Sequence, residues 1–98
     1  MKTQYKYEFY FGTDIENTSV VTDEMFDNFL TETVRPWFKA FSILTLDGEW
    51  DGIKETTKVL IIIDSELTET IVNKIRDTYK NTFKQESVLV TKHSINII

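Results

Sequence analysis

The chain has 98 residues, about the usual size of one domain, of which 41% are hydrophobic and 28% charged. This composition excludes a disordered or fibrous protein, and the absence of cysteine excludes a disulfide framework, a thiolate nucleophile and a zinc–thiolate site. The net charge is −5, and residues 1–51 hold ten acids against four bases. Because nucleic-acid binding depends on neutralising phosphates with Lys and Arg, the acidic first half argues against a nucleic-acid partner.

The sequence contains no pattern typical of export or membrane insertion. Residues 1–10 alternate polar and aromatic side chains and lack the apolar stretch of a signal peptide. The longest apolar run, residues 59–63, has five residues, whereas a bilayer span needs about 20. We therefore expect a soluble, cytoplasmic protein with no membrane partner. The abundance of Ile, Lys, Asn and Thr is typical of an AT-rich bacterial or phage coding sequence.

The first third of the chain predicts a strand, a loop and a helix. Residues 5–11 alternate aromatic with mostly polar side chains, a pattern typical of a strand with one side on the core. Gly12 then opens a loop rich in turn formers. Thr22 is placed to cap a helix, and Pro36 disfavours helical geometry at the residue before it, so a helix is predicted over about residues 22–34.

A hairpin is predicted next. Residues 37–46 are rich in aromatic and branched side chains and predict a second strand, which ends at the turn-forming pair Asp47-Gly48. A second Asp-Gly pair, at residues 51–52, precedes a third strand over residues 54–63. We expect these two strands to lie side by side.

The second half predicts a helix and a last strand. Ser65 is placed to cap the helix, and apolar side chains follow at four-residue spacing through Phe83. Residues 87–91 predict the final strand. The order βαββαβ predicts an α+β, ferredoxin-like domain over residues 1–98, with a four-stranded antiparallel sheet and two helices on one of its faces.

The sheet face without helices is expected to be apolar. Residues 59–63 place large apolar groups on both sides of their strand, and Leu44, Leu46, Val88 and Val90 add to the same face. A patch above about 400 Å² is uncommon on a soluble monomer, so we expect a homo-oligomer in which a second copy packs on this face. The alternative is that the loop after the first strand, or the Ile-rich tail, folds over the sheet.

Several motifs resemble a small bacterial domain family of unknown function. They are the aromatic strand ending Tyr10-Phe11-Gly12, the turn sequence Asp47-Gly48-Glu49-Trp50, the Glu-x-Ser/Thr-Lys strand at Glu55, Thr57 and Lys58, and the Tyr-x-x-x-Phe-x-Gln-Glu-Ser-Val signature at Tyr79, Phe83, Gln85, Glu86, Ser87 and Val88. The resemblance covers about residues 5–92 and implies a fold and candidate positions, but no catalytic roles. Two features depart from the family: many relatives are exported, whereas no signal is expected here, and residues 39–41 replace a Gly-rich approach to the second strand.

Six residues are candidates for ligand binding: Trp50, Glu55, Lys58, Arg76, Gln85 and Ser87. The aromatic ring could stack on a ligand, and the carboxylate shares its face of the hairpin if the strand is regular. The two cations could pair with a phosphate. The last two residues join the second helix to the last strand, where polar side chains and free N–H groups can converge. The alternatives are a surface ion pair, a solvated helix face, and a helix C-cap followed by a turn.

His93 is the only histidine and the natural acid or base if the protein catalyses a reaction. The other interpretation is a solvent-exposed histidine at the end of a strand. Because the sequence has no second histidine and no cysteine, it identifies no catalytic residue and no metal site, and we expect no cofactor.

Three classes of function remain open. The first is a non-enzymatic oligomer that binds a small nucleotide-like ligand between subunits, in one version a phage protein that sequesters a host signalling molecule. The second is an inhibitor that docks on a host protein through the acidic residues of segment 14–27. The third is a dimeric ferredoxin-like enzyme that uses Glu55 or His93 as general base. The lack of a catalytic motif favours binding over catalysis.

Overall fold

The computed structural model describes residues 3–16 and 18–98, apart from the side chain of Trp50. The elements are the strands Gln4–Gly12 (β1), Asp14–Ile15 (β2), Ser19–Val20 (β3), Ser42–Trp50 (β4), Ile53–Asp64 (β5) and Leu89–Ile95 (β6), and the helices Asp23–Phe29 (α1) and Glu69–Thr82 (α2). A π-helical turn, Leu30–Val34, continues α1.

Four strands form one antiparallel sheet in the order β4-β5-β1-β6. Both helices pack on the same side of it, because the ring of Phe11 from β1 contacts a ring from each helix. Its centroid lies 5.4 Å from that of Phe29 in α1 and 4.2 Å from that of Tyr79 in α2. Such pairs contribute about 0.5–1.5 kcal/mol beyond the area they bury. The predicted ferredoxin-like α+β fold is confirmed.

The alternation along β1 sorts its side chains between the two faces of the sheet. Tyr7, Phe9 and Phe11 are at most 3% exposed and belong to the core beneath the helices. Lys6 and Glu8, which alternate with them, lie on the opposite face. The predicted first strand is therefore confirmed, and each buried ring stabilises the fold by roughly 25 cal/mol for every Å² removed from water.

The two helices begin with threonine caps. Thr22 Oγ1 accepts a hydrogen bond from the N–H of Met25 at 3.1 Å, as predicted. Thr68 Oγ1 accepts from the N–H of Ile71 at 3.3 Å, so the predicted cap at Ser65 is wrong. The carboxylate before Ser65 accepts from its N–H and hydroxyl groups, and the chain enters the helix three residues later. Within the described ranges, neither helix is long and apolar enough to cross a bilayer.

β4 lies later in the sequence than predicted. Asp47 and Gly48 pair with residues of β5 inside the ladder, so they form no turn. The chain turns at the second Asp-Gly pair, where φ is 54° at Asp51 and 78° at Gly52. Positive φ at both central residues is what a two-residue type I′ turn requires. The predicted strand over residues 37–46 is therefore wrong in position: its first residues precede β4, and the strand continues past its end.

The sheet face opposite the helices, called here the open face, carries exposed apolar side chains. Leu44 and Leu46 of β4, Ile63 of β5 and Leu89 of β6 are between 42% and 61% exposed. Beneath them Val59 is 1% exposed. Within the described part of the chain, neither the loop after β1 nor the tail covers these residues, which leaves the face free for a partner.

The predicted contribution of Val88 and Val90 to the open face is wrong. Val88 is buried in the core, and Val90 lies opposite Phe9 on the helix side of the sheet. The register explains the difference, because β6 pairs Leu89 with Tyr10 and so turns the odd-numbered residues outward.

The loop after β1 contains a short ribbon formed by β2 and β3. Asp14 lies opposite Val20, and the N–H of Val21 donates to the carbonyl oxygen of Thr13 at 2.7 Å. The hydroxyl of Thr13 donates in turn to the carbonyl oxygen of Thr56 in β5 at 2.6 Å. These bonds hold Asp14 beside the end of β1, where the candidate site is formed.

Candidate functional site

Distant parts of the chain meet at the end of β1. The residues are Gly12, Asp14, Glu55, Tyr79 and Gln85, called here the Glu55–Gln85 site. At this end of the sheet β1 leads into β2, β5 begins and α2 ends. Long-range hydrogen bonds between these elements therefore fix the geometry.

Glu55 supplies a carboxylate that is anchored at one oxygen. Its Oε2 accepts a hydrogen bond from the backbone N–H of Asp14 at 2.8 Å. Its Oε1 has no hydrogen-bond partner among the described residues. The side chain is half-buried and lies on the open face, opposite Gly48 of β4. The anchored oxygen sets the orientation of the carboxylate, and the other oxygen is available to a ligand.

Gln85 is held so that its amide oxygen faces the site. Its Nε2 donates to the carbonyl oxygens of Asp14 at 2.7 Å and of Phe83 at 3.0 Å. Because both partners are acceptors, they also fix which end of the amide is nitrogen. The backbone arrives here through Lys84, whose φ of 52° is the left-handed conformation common after a helix end, and Gln85 N–H donates to the carbonyl of Lys80 at 2.9 Å.

Tyr79 ties the site to the helix layer. It is fully buried, and its hydroxyl donates to the carbonyl oxygen of Gly12 at 2.6 Å. Burial raises the pKa of Tyr79, and the nearby charge of Glu55 raises this pKa further. The hydroxyl therefore stays protonated at neutral pH and keeps its role as donor.

Gly12 makes the close approach of these side chains sterically possible. A Cβ atom at this position would lie 2.8 Å from Glu55 Oε2, 2.9 Å from Gln85 Oε1 and 3.0 Å from Glu55 Oε1. Three oxygens thus lie around the space that any larger residue would fill. Gly48, opposite Glu55, also lacks a side chain, and a Cβ there would meet nothing closer than 3.6 Å.

A groove of about 280 Å³ runs beside Glu55 along the β4–β5 hairpin. Its lining residues are Asp47, Gly48, Glu49, Lys54, Glu55 and Thr56. Three carboxylates face one ammonium group there, so the groove carries net negative charge. It is shallow on the isolated chain, and a ligand bound in it would keep one side exposed unless another surface covered it.

The other predicted ligand-binding residues lie elsewhere. Lys58 is on the helix side of the sheet, where its Nζ is 3.1 Å from Asp23 Oδ1 and 3.0 Å from Thr45 Oγ1. Arg76 bonds to Asn73 and Asp77 on its own helix. Ser87 is exposed between α2 and β6. Trp50 pairs with Ile53 through its backbone, and its side chain lies outside the described residues. Of the six predicted residues, the structure brings Glu55 and Gln85 together.

His93 belongs to a separate polar cluster on the open face. Its Nε2 lies 3.1 Å from Glu8 Oε1, which also accepts from the hydroxyl of Thr91 at 3.0 Å. The Thr91 hydrogen bond is the main cause that lowers the pKa of Glu8, and Lys6 and His93 lower it further against the opposing effect of burial. His93 pairs with Lys6, six residues before Gly12 on β1, which is roughly 20 Å of strand. The two residues predicted as candidate bases, His93 and Glu55, therefore do not share a site.

The acidic segment predicted as a docking surface is partly engaged within the chain. Asp23 pairs with Lys58 at 3.1 Å, and Asp27 pairs with Arg35 at 3.0 Å. Asp14 contributes its backbone to the Glu55–Gln85 site. A docking function for this segment stays a prediction.

Sequence reasoning missed Gly12, Asp14 and Tyr79 as parts of the site. Gly12 was interpreted as the start of a loop, and Tyr79 as a core residue of the helix. Both interpretations are correct but incomplete. The tyrosine ring is buried in the core, and only its hydroxyl reaches the site. The available signal was that both belong to the motifs that carry the family resemblance, together with Glu55 and Gln85.

The fold and the site define a ferredoxin-like α+β domain with a carboxylate and an amide oxygen at the end of its first strand. The chain belongs to the family described as "Protein of unknown function (DUF3574)", whose model matches residues 6–97. This confirms the resemblance to a domain family of unknown function. No curated protein sequence matches the chain.

A solved structure shares the fold. A phage SAM lyase in complex with S-methyl-5′-thioadenosine aligns with a TM-score of 0.70 and 20% sequence identity, over 93% of this chain and 81% of that one. At this identity the similarity establishes the fold alone. The phage protein therefore shows that a domain of this architecture is found in complex with a thioadenosine.

Proposed function

We propose that the protein binds a small nucleoside-type ligand of the thioadenosine class at the Glu55–Gln85 site, within a homo-oligomer whose second copy covers the open face. One observation carries the proposal. Glu55 and Gln85, 30 residues apart in sequence numbering, converge over Gly12, each with one oxygen free to accept a hydrogen bond. Because no buried side-chain oxygen of the described residues lacks a partner, these unpartnered oxygens are accessible and a ligand can reach them.

The chemistry of a nucleoside fits this arrangement. A ribose presents two neighbouring hydroxyl donors, and a carboxylate is the group that nucleoside-binding folds often use to accept from them. Glu55 has an oxygen available for this, and Gln85 Oε1 lies beside it. The phage protein of the same fold supports the choice of ligand class, since the thioadenosine bound to it has both a ribose and a planar base.

The surroundings of Glu55 offer room for a base. Gly48, opposite Glu55, has no side chain, and Ile53 on the same face of β5 is 52% exposed. An apolar wall next to a small set of polar groups is typical of small-molecule sites. The base would lie along the hairpin while the ribose faced Glu55.

A second copy would complete the site. The open face carries Leu44, Leu46, Ile63 and Leu89, and contiguous exposed apolar surface of several hundred Å² is typical of an interface. At about 25 cal/mol per Å² such a surface favours association strongly enough to offset part of its entropic cost. Because Glu55 and Gly48 lie on this face, the covering copy would supply a wall beside the free oxygen of Glu55.

Calorimetric titration with S-methyl-5′-thioadenosine, joined with native mass spectrometry, tests the proposal. The wild type should bind one ligand per site as a dimer or larger assembly. Glu55→Gln should weaken binding by roughly 10-fold or more, the equivalent of one charge-assisted hydrogen bond. Glu69→Gln makes the same change on the exposed first turn of α2 and should leave binding unchanged. A wild-type protein that takes up no ligand would overturn the proposal.

The assembly has its own control pair. Leu44→Asp places a charge among the apolar side chains of the open face and should convert the oligomer to a monomer. Val20→Asp makes a comparable change at a 57% exposed residue of β3, away from the sheet, and should leave the subunit count unaltered. A wild-type monomer in native mass spectrometry would contradict the covering copy.

Catalysis at the same site is a second candidate, favoured by the free Oε1 of Glu55. A general base needs an oxygen that substrate can reach in a fixed orientation, and the Asp14 N–H supplies that orientation through Oε2. The lyase name of the phage protein suggests S-adenosylmethionine as the compound to test. Mass spectrometry of the incubation should show turnover that Glu55→Gln lowers by about 100-fold and His93→Ala leaves intact. Wild-type binding without turnover would exclude this candidate and leave the first.

A further inference from the structure

The polar atoms that the Glu55–Gln85 site offers to a ligand are all acceptors. Glu55 presents Oε1, and Gln85 presents its amide oxygen. The donors around them are already used: the Asp14 N–H by Glu55, the Gln85 Nε2 by two carbonyls, and the Tyr79 hydroxyl by Gly12. A ligand at this point must bring its own donors.

Two of the cations that could neutralise a phosphate are held away from the Glu55–Gln85 site. Lys58 pairs with Asp23 on the other face of the sheet, and Arg76 bonds to neighbours on α2. Lys54 lines the groove beside Glu55, but it is outnumbered there by three carboxylates. A phosphate in this groove would therefore face like charges and free acceptors.

Building on the proposed function, we infer that the site takes an unphosphorylated nucleoside, recognises its vicinal ribose hydroxyls, and excludes nucleotides that carry phosphate on those hydroxyls. Each hydroxyl can donate to one of the free oxygens, whereas a phosphate at either position removes a donor and adds negative charge next to Glu55. A phosphate at the 5′ position leaves both ribose hydroxyls free to donate. The order of affinity should be nucleoside, then 5′-phosphate, then 2′- or 3′-phosphate.

The amide of Gln85 adds a second fixed acceptor and so increases the preference for nucleosides over phosphorylated nucleotides. Because both hydrogens of Nε2 donate to backbone carbonyls, the amide cannot rotate to present a donor without losing two hydrogen bonds. Glu55 cannot become a donor unless it takes up a proton. The acceptor character of the site is thus built into its geometry.

The experiment is a calorimetric comparison of adenosine, 2′-deoxyadenosine, adenosine 5′-monophosphate and adenosine 3′-monophosphate on the wild-type protein, with S-methyl-5′-thioadenosine as reference. We expect 2′-deoxyadenosine to bind about 10-fold more weakly than adenosine, and the 3′-monophosphate at least about 100-fold more weakly. Glu55→Gln should narrow the gap between adenosine and its 3′-monophosphate, because an amide can also donate to a phosphate. Glu69→Gln should leave the gap as it is.

The outcomes separate this inference from the proposed function. Binding of the reference with equal affinity for adenosine and the 3′-monophosphate would overturn the inference and leave the proposed function standing. A gap that persists unchanged in Glu55→Gln would also overturn it, since the selection would then arise elsewhere. Failure of the reference to bind would overturn the proposed function, and the inference with it.

Discussion

The hydroxyl of Tyr79 donates a 2.6 Å hydrogen bond to the carbonyl oxygen of Gly12, and this bond links α2 to the last residue of β1. Both partners are distant in sequence, so the bond fixes the helix layer to the end of the sheet at which Glu55 and Gln85 meet. A buried carbonyl that loses its donor costs about 1–3 kcal/mol. The bond therefore contributes to stability and to the geometry of the site together.

Tyr79→Phe should lower the free energy of unfolding by about 1–3 kcal/mol, because the ring still fills the core while the Gly12 carbonyl loses its donor. Urea denaturation measures the change. Tyr10→Phe is the matched control, since the Tyr10 hydroxyl makes a longer bond of 3.4 Å to Glu8 at a half-buried position. Equal losses in the two variants would contradict the structural role assigned to Tyr79.

The same tyrosine predicts how stability depends on alkaline pH. Burial raises the pKa of Tyr79 in the folded protein, and Glu55 raises this pKa further, so the folded state favours the protonated phenol. In the unfolded chain a tyrosine deprotonates near pH 10. Its contribution is therefore fully present below about pH 10 and is lost as the pH rises above it. The free energy of unfolding, measured by urea denaturation at several pH values between 8 and 11, should fall less steeply with pH for Tyr79→Phe than for the wild type. An equal fall in the two proteins would contradict this assignment.

Gly12→Ala should weaken ligand binding and destabilise the fold. The new Cβ would lie within 3.0 Å of three side-chain oxygens, so Glu55 and Gln85 would have to move and their bonds to Asp14 would lengthen. We expect a loss of about 1–3 kcal/mol in unfolding free energy and at least about 10-fold in affinity. Calorimetry and urea denaturation measure the two effects.

Gly48→Ala is the control for this prediction. It makes the same change on β4, which β5 separates from β1, and there the nearest atoms are 3.6 Å from the new Cβ, an ordinary contact distance. Its stability should stay within about 0.5 kcal/mol of the wild type. If Gly48→Ala were as destabilising as Gly12→Ala, the effect would come from strand flexibility rather than from crowding at the site.

The sequence pattern was sufficient for the fold but not for the position of every element. The aromatic alternation of residues 5–11 and the Thr22 cap were correct because each depends on local chemistry. The two Asp-Gly pairs have the same local preference, and only the pairing of Asp47 and Gly48 with β5 decides that the second pair makes the turn. Strand register is a tertiary property, so the face of Val88 and Val90 was missed for the same reason.

The site was predictable in part. Glu55 and Gln85 were recognised as polar residues at places where a ligand could bind, and they do converge. Their meeting point depends on Gly12, whose role is to leave space, and spacing in the sequence does not reveal which side chains approach a glycine. Lys58 and Glu55 were both candidates for ligand binding, but their odd separation along β5 places them on opposite faces of the sheet.

Lys84→Gly should stabilise the protein by about 1 kcal/mol without weakening ligand binding. Lys84 has a φ of 52°, a conformation that costs an L-residue about 1–2 kcal/mol and costs glycine almost nothing. The greater freedom of glycine in the unfolded chain offsets part of this gain. Lys74→Gly, at an exposed position inside α2, should instead destabilise by about 1 kcal/mol. The Tm of the two variants should shift in opposite directions from that of the wild type. Shifts of the same sign would contradict the cost assigned to the positive φ of Lys84.

The lowered pKa of Glu8 allows a prediction of how the stability of the fold depends on pH in the acidic range. The hydrogen bond from Thr91 is the largest cause that lowers the pKa of Glu8 below its ordinary value of 4.5. The ionised form is thus favoured in the folded state, and its contribution is present above about pH 4.5 and is lost as the pH falls through the lower folded value. Thr91→Val should therefore lower the free energy of unfolding by about 1 kcal/mol at pH 7, and the difference from the wild type should shrink towards pH 2.

Thr56→Val is the control for this acid dependence, because Thr56 is an exposed strand residue that accepts the Thr13 hydrogen bond through its backbone carbonyl and not through its hydroxyl. Its difference from the wild type should not change with pH. Urea denaturation at pH 7, 4 and 2 distinguishes the two variants. A Thr91→Val deficit that persists undiminished at pH 2 would mean that the hydroxyl stabilises the strand by a route other than the Glu8 carboxylate, because that carboxylate is protonated in both states at low pH.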